Sequence, residues 1–320
     1  MKNKLITYLA AFIFLILLNF FLPRLMPGDP LLAIYGQEAA LTLSEEMKKE
    51  LISEMGLDRP LPVQFGLYLT ALLHGDLGVS YSLNASVWSV VGRTLPWTLL
   101  LVGSALILST FLGIILGIES GWHKGVKRDR WILFLVIGVS GLPNFIMAVI
   151  LLLVFGVQLG WFPLGGALTP YSGWTGIQLV GDVARHLVLP VTALTLAQLS
   201  ETVLLTRSSM LGSLDSLYIR TAVGKGLKKY RIKYGHAGRN SLLPVTARLG
   251  VSAGRAIAGA LFVEVVFAYP GMGSLTHHAL LSRDYPLLQG IFLVMALTIV
   301  LANILADRLA FRLDPRLRED

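Results

Sequence analysis

The sequence predicts an all-α membrane protein with six transmembrane helices, both ends on the cytoplasmic side. Three observations carry that expectation. First, 54% of the residues are apolar and 14% charged, with a mean hydropathy of +0.68. A soluble domain carries about 25% charged residues, so this chain has too little polar surface to cover a water-soluble core. Second, six apolar runs approach the roughly 20 residues that a helix needs to cross a bilayer. Third, nineteen of the 27 lysines and arginines fall on one side of those runs and seven on the other, with Arg255 inside a run. The basic side is cytoplasmic by the positive-inside rule. That distribution also explains the net charge of +8 without invoking nucleic acid. With no cysteine, the chain forms no disulfide and uses no thiolate chemistry.

Residues 1–22 hold the first span, Leu5 to Leu22, behind Lys2 and Lys4. Its apolar run is too long for the core of a signal peptide, and no small-x-small cleavage site follows. Residues 23–94 form an extracytoplasmic loop that is expected to fold. Thr42 and Glu45 make a capping-box pattern, Leu43, Met47, Leu51 and Met55 repeat every four residues, and Gly56 with Pro60 stops the helix. Glu45 and Lys49 can pair along it. A second apolar stretch, Phe65–Leu73, precedes His74-Gly75-Asp76-Leu77-Gly78. Such a loop caps the outer mouth or touches a soluble partner, or is a lid that merely shields the bundle.

Residues 95–306 make a five-helix core with spans at Leu95–Ile118, Ile132–Val157, Leu187–Thr206, Val245–Phe267 and Leu287–Ala306. Pro143 and Pro190 are tolerable there, because neighbouring helices re-satisfy freed backbone groups. Gly113, Gly117, Gly138, Gly141, Gly254 and Gly259 are expected to let helices pack closely. Residues 307–320 form a cytoplasmic tail.

Within the core, the cytoplasmic loop 207–244 is the most informative stretch. Asp215 is placed to cap a helix through Leu217, Tyr218, Thr221 and Ala222, which Gly224 and Gly226 then break. The basic run Lys225, Lys228, Lys229, Arg231 and Lys233 follows, then His236, Arg239, Asn240 and Leu243-Pro244. A short helix, a glycine bend and a second short helix make a compact knob. It is either a solvated face that sets topology or a lever that carries movement into the bundle.

Glu264 stands inside an apolar span, where an acidic residue is costly and marks function by default. It is either half of a structural ion pair, with Arg255 or a partner chain, or part of a gate. His277 and His278 point different ways on a helix and do not make a metal site. No G-x-x-x-x-G-K-[ST], H-E-x-x-H or G-x-S-x-G pattern occurs, so neither nucleotide hydrolysis nor hydrolase chemistry is expected of this chain. Relay groups and internal repeats of a secondary transporter are also lacking beyond Glu264 and Arg255.

The knob carries a family resemblance. Tyr218-Ile219-Arg220-Thr221-Ala222-x-x-Lys225-Gly226-Leu227, then His236-Ala237-x-Arg239-Asn240-Ser241-Leu242-Leu243-Pro244, resembles the EAA loop of binding-protein-dependent ABC importer permeases. More narrowly it is similar to the first permease of dipeptide, oligopeptide and nickel importers. The likeness runs through Pro27-Gly28-Asp29-Pro30, Gly56-Leu57-Asp58-x-Pro60, Gly75-Asp76-Leu77-Gly78, Thr206-Arg207-Ser208-Ser209-Met210, Glu264-x-x-Phe267-x-x-Pro270-Gly271-x-Gly273, Arg283-Asp284-Tyr285-Pro286 and Asp314-Pro315-Arg316. Arg220 stands where the general motif begins with Glu, as is usual in the peptide/nickel branch. Gly235 and Gly238 depart from the pattern and loosen the second helix.

The resemblance implies a type I ABC importer permease fold in a bacterial cytoplasmic membrane, forming half of a pore. Its implied partners are a homologous second permease, one or two cytosolic ATP-binding subunits, an extracytoplasmic substrate-binding protein and membrane lipid. ATP and Mg would be bound by the ATPase partners, with no cofactor in this chain. Arg220, Thr221, Ala222, Gly226 and Leu227 are the implied docking contacts, braced by Arg239, Asn240 and Pro244. Glu264, Pro270 and Gly271 are pore or gate candidates. The cargo is a short peptide, or alternatively nickel or a metal chelate.

Overall fold

The computed structural model describes residues 13–21, 24–25, 44–54 and 56–313 of the 320. Almost all of it is helical. In chain order the elements are α1 (residues 13–21), α2 (Glu45–Glu54), α3 (Leu61–Leu73), the hairpin β1 (Val79–Ser80) and β2 (Ala85–Ser86), α4 (Val87–Trp122), α5 (Lys127–Ser140), α6 (Asn144–Leu151), α7 (Ile177–Leu214), α8 (Leu217–Gly224), α9 (Arg239–Ser241), α10 (Leu243–Val266), α11 (Met272–Leu281) and α12 (Tyr285–Leu313). Wider π-helical turns occupy Leu152–Gln158 and Arg231–Gly238.

Among the described residues, α4, α7, α10 and α12 are long and apolar enough to cross a membrane. The α5–α6 pair makes a fifth if it is one span. Half of the first expected span, Leu5 to Leu22, lies outside the described residues, and the described half, 13–21, is helical. At 38 residues and 1.5 Å each, α7 runs about 57 Å, well beyond a hydrocarbon core of roughly 30 Å. Its internal Pro190 leaves it unbroken.

The expected continuous span Ile132–Val157 is instead broken. Its halves bend by 101° between Ser140 and Asn144. The cause is Pro143, which lacks an amide proton and pushes Leu142 away from helical geometry. Pro143 itself takes φ −58°, ψ 148° and leads into α6.

The chain forms two compact units, each assembled from separated stretches: residues 1–96 with 271–298, and residues 97–270 with 299–320. The first unit is centred on Val87, Val91, Met272, Leu275, Ala279, Leu287, Leu288 and Ile291. Phe20 of α1 packs edge-on against Phe65 of α3, with ring centroids 5.0 Å apart. Asn19 Nδ2 donates to the Gln289 carbonyl at 2.7 Å. Asp284 fastens the hairpin by accepting from Ser80 Oγ at 2.6 Å and from Ser82 N at 2.9 Å. Its other oxygen accepts from Leu287 N at 3.1 Å and so caps α12. That double duty accounts for the Arg283-Asp284-Tyr285-Pro286 run.

The capping box expected at Thr42 lies outside the described residues; at the start of α2, Ser44 Oγ accepts from Met47 N at 3.2 Å. Glu45 pairs with Lys48 rather than Lys49.

In the second unit α4 and α7 cross on a seam of small residues. A Cβ on Gly113 would stand 2.5 Å from Thr202, one on Gly117 2.5 Å from Thr206, and one on Gly121 2.8 Å from Met210. Two stripes of period four therefore interlock, one of glycines and one of Thr202, Thr206 and Met210. Gly259 passes Asn144 equally closely, and a Cβ on Gly254 would stand 3.5 Å from Ile299. Gly138 and Gly141, expected to serve the same purpose, have no atom within 4 Å of the Cβ position among the described residues.

Candidate functional site

The knob between α7 and α10 begins with a tight joint. Asp215, expected to start a helix, instead closes α7, and Ser216 with extended backbone (φ −76°, ψ 153°) precedes α8. At the far end of α8, Gly226 N donates to the Val223 carbonyl at 2.9 Å and Leu227 N to the Ala222 carbonyl at 3.3 Å. This paired arrangement needs a left-handed residue after the helix, and Gly226 supplies it at φ +70°. It also brings Leu227 back against Ala222.

Ala222 and Leu227 consequently face inward. They join a cluster of Ile118, Met210, Ile219, Ile232 and Ala237 that fastens the knob to the ends of α4 and α7. Period 3–4 spacing leaves Leu217, Arg220, Thr221 and Gly224 on the opposite, exposed face, with Val223 beside them. Arg239 and Asn240 are exposed at the other end, where Ser241 is buried, and Pro244 opens α10. Of the expected docking residues, the structure puts Arg220, Thr221 and Gly226 on the surface and Ala222 and Leu227 in the core. The sequence reading missed the outward apolar side chains Leu217, Val223 and Tyr230. Their signal was present: three large apolar residues among the charges of a basic loop.

Beneath the knob lies a buried polar joint that sequence reasoning also missed. Glu119 of α4 accepts from Lys233 Nζ and from Tyr234 Oη, and Arg128 Nη2 lies 3.1 Å from it. Its side chain is 8% exposed and that of Lys233 11%. Next to it, Asp129 takes a two-pronged contact from Arg207, with Nε and Nη2 each at 3.0 Å, and accepts from Ser120 Oγ at 2.5 Å. Glu119 thus ties the knob to α4, and Asp129 ties α5 to α4 and α7 directly beneath it. Paired geometry of this kind gives a guanidinium–carboxylate contact its direction as well as its strength.

Glu264 is completely buried in α10 and accepts from Thr98 Oγ1 at 2.7 Å. The ion pair with Arg255 does not form, because Arg255 turns to Glu201 of α7. Arg248 joins the same carboxylate at 2.6 Å. Beyond Glu264 the chain leaves α10 through Phe267, whose carbonyl accepts from Gly166 N at 2.9 Å. A Cβ on Gly165 would stand 2.7 Å from that carbonyl. Tyr269 is buried edge-on against Trp97 at 6.0 Å. Pro270 is exposed and ends one unit; Gly271 is buried and precedes α11 in the other.

Known proteins place this arrangement. Residues 109–319 match the family described as binding-protein-dependent transport system inner membrane component. The chain is 33% identical over 327 residues to the dipeptide transport system permease protein DppB of Escherichia coli, covering 97% of this chain and 96% of that one. It is 36% identical over 318 residues to a Brucella ovis protein assigned as a peptide permease, covering 99% and 98%. A Brucella abortus protein assigned as a peptide transport system permease is 37% identical over 308 residues, covering 95% and 94%. The match runs through the seam, the knob and the Glu264 span, and the chain belongs to the family of binding-protein-dependent transport system inner membrane components.

Proposed function

We propose that this chain is the pore-forming permease of an ATP-driven importer for short peptides, with loop 207–244 as the part that docks cytosolic ATPase subunits. One observation carries the docking role. The knob is fastened on its inner side by an apolar cluster and the buried Glu119, over helices that Asp129 ties together, and presents outward a face of Leu217, Arg220, Thr221 and Gly224. A solvated loop that merely sets topology needs no such anchoring, whereas a lever must not flex at its base. Exposed apolar residues rimmed by charge are the usual make-up of a protein-binding patch.

In this reading the chain crosses a bacterial cytoplasmic membrane six times with both ends inside, pairs with a homologous permease, and receives cargo from an extracytoplasmic binding protein. ATP and Mg act in the partner subunits. Closure of the ATPases pushes on the knob, and the anchoring at Glu119 and Asp129 passes that push into α4, α5 and α7. The named relatives transport peptides and dipeptides, which favours a short peptide over nickel or a metal chelate. Glu264, held to Thr98, keeps the two helices of the gate region in register.

The test is co-isolation. Wild-type chain should bring down a partner carrying the nucleotide-binding motif and raise its ATP hydrolysis. Leu217→Asp should insert in the membrane normally but lose that partner and abolish uptake. Retention of the ATPase by this variant would sink the docking assignment, and uptake by the isolated chain under an ion gradient would favour a secondary transporter.

A further inference from the structure

The cluster around Glu201 is not absorbed by docking or by the gate. Glu201 on α7 holds both Arg248 and Arg255 of α10. Unlike the joint beneath the knob, these side chains are only half covered: Arg255 is 52% exposed, Arg248 46% and Glu201 33%. Both helices are of membrane-crossing length and composition, and Arg255 lies midway along α10. A charge turned toward lipid near the bilayer centre costs about 3 kcal/mol on insertion scales. This face therefore turns toward water or protein.

Glu201 and Arg255 line a cavity of about 600 Å³ between α6, α7 and α10, together with Asn144, Gln198, Ser252 and Phe262, and Arg248 reaches it only through its pair with Glu201. That volume falls within the range of roughly 300–1,000 Å³ that holds small ligands. Gln198 contributes a buried Oε1 that accepts no hydrogen bond among the described residues. Two guanidiniums facing one carboxylate leave an excess of positive charge, while Glu201 remains the one acidic group of the set. The complement is a small molecule with a carboxylate and an ammonium.

We propose that Glu201 and Arg255, with Arg248 held behind Glu201, form a transit site for a short peptide with free ends: Arg255 takes its carboxylate, Glu201 its ammonium, and Gln198 Oε1 a backbone amide proton. The site rests on the peptide-importer reading. No bond is made or broken; the ion pairs within the protein exchange for ion pairs with the cargo. Because one charged partner replaces another, the peptide is desolvated at little net cost and is released as easily, as passage requires.

The experiment uses the complete transporter in vesicles with its binding protein and the dipeptide Ala-Ala. Arg255→Gln should lower uptake about tenfold, the value of one charge-assisted hydrogen bond, with the second permease still co-isolating. Unchanged uptake would overturn the site, as would loss of the second permease, which would make the cluster an anchor between subunits. A direct reading comes from Ser252→Cys, which introduces the only thiol of this chain. A membrane-impermeant thiol reagent should modify it, and Ala-Ala should slow modification about tenfold where N-acetyl-Ala-Ala-amide does not. No modification, or equal effects of the two peptides, overturns the proposal. Absence of Ala-Ala uptake by the wild-type complex removes the peptide-importer reading as well, and is told apart because failure of the site alone leaves wild-type uptake intact.

Discussion

Glu119 and Glu201 make an instructive pair. Each is a single carboxylate in a long helix flanked by two basic side chains, Lys233 and Arg128 in one case, Arg248 and Arg255 in the other. They differ in cover. Glu119 and Lys233 are sealed under the knob, where their mutual attraction, with Tyr234 Oη and Arg128 beside them, must offset the lost hydration. Glu201 and Arg255 are open to a cavity, and Arg248 is half exposed beside them, so water screens the cluster and exchange with another ion is cheap. The same chemistry thus fixes one part of the molecule and leaves the other free to bind.

Four changes would break or sharpen that contrast. Glu119→Ala leaves Lys233 buried without its partner and should cost about 3–5 kcal/mol, read as earlier thermal unfolding in detergent and faster proteolysis of loop 207–244. Replacing the pair together, Glu119→Leu with Lys233→Met, should recover most of that loss. Gly117→Leu forces side-chain carbons into Thr206 two residues before Glu119; about 1–3 kcal/mol should be lost, measured as folded yield after solubilisation. Gly226→Ala meets open space but keeps a positive φ. About 1 kcal/mol should be lost, with a lower affinity for the ATPase because α8 ends less sharply. Glu201→Gln should change stability by less than about 1 kcal/mol while lowering dipeptide uptake. If it instead destabilises as Glu119→Ala does, the distinction drawn from exposure fails.

Much of this was legible in the amino-acid order, for a physical reason. Long apolar runs mark α4, α7, α10 and α12, because lipid leaves the backbone no alternative to a helix. The sequence reads Pro143 and Pro190 alike as tolerable, yet α7 runs unbroken through Pro190 while the chain bends by 101° at Pro143. Which outcome follows depends on neighbours that are distant in sequence. The sequence reads Gly226 as a helix breaker and, by resemblance, a docking contact; its positive φ and its bonds to α8 show that the helix end itself requires it. Ala222 and Leu227 could not be assigned to the inside without knowing that Ile118 and Met210 wait there. Glu119 with Lys233, 114 positions apart, is invisible to any local pattern.

The glycine seam sets the grammar of motion for this half of the pore. Gly113, Gly117 and Gly121 each fit one side chain of α7 with no room to spare. Sliding α4 by one residue would drive a larger side chain into each slot, so gradual slippage is forbidden. Packed interfaces of this kind change by discrete steps or move as one body. Helices α4 and α7 must therefore move as one body, a single beam, and in the docking role proposed above its deflection would begin at the knob.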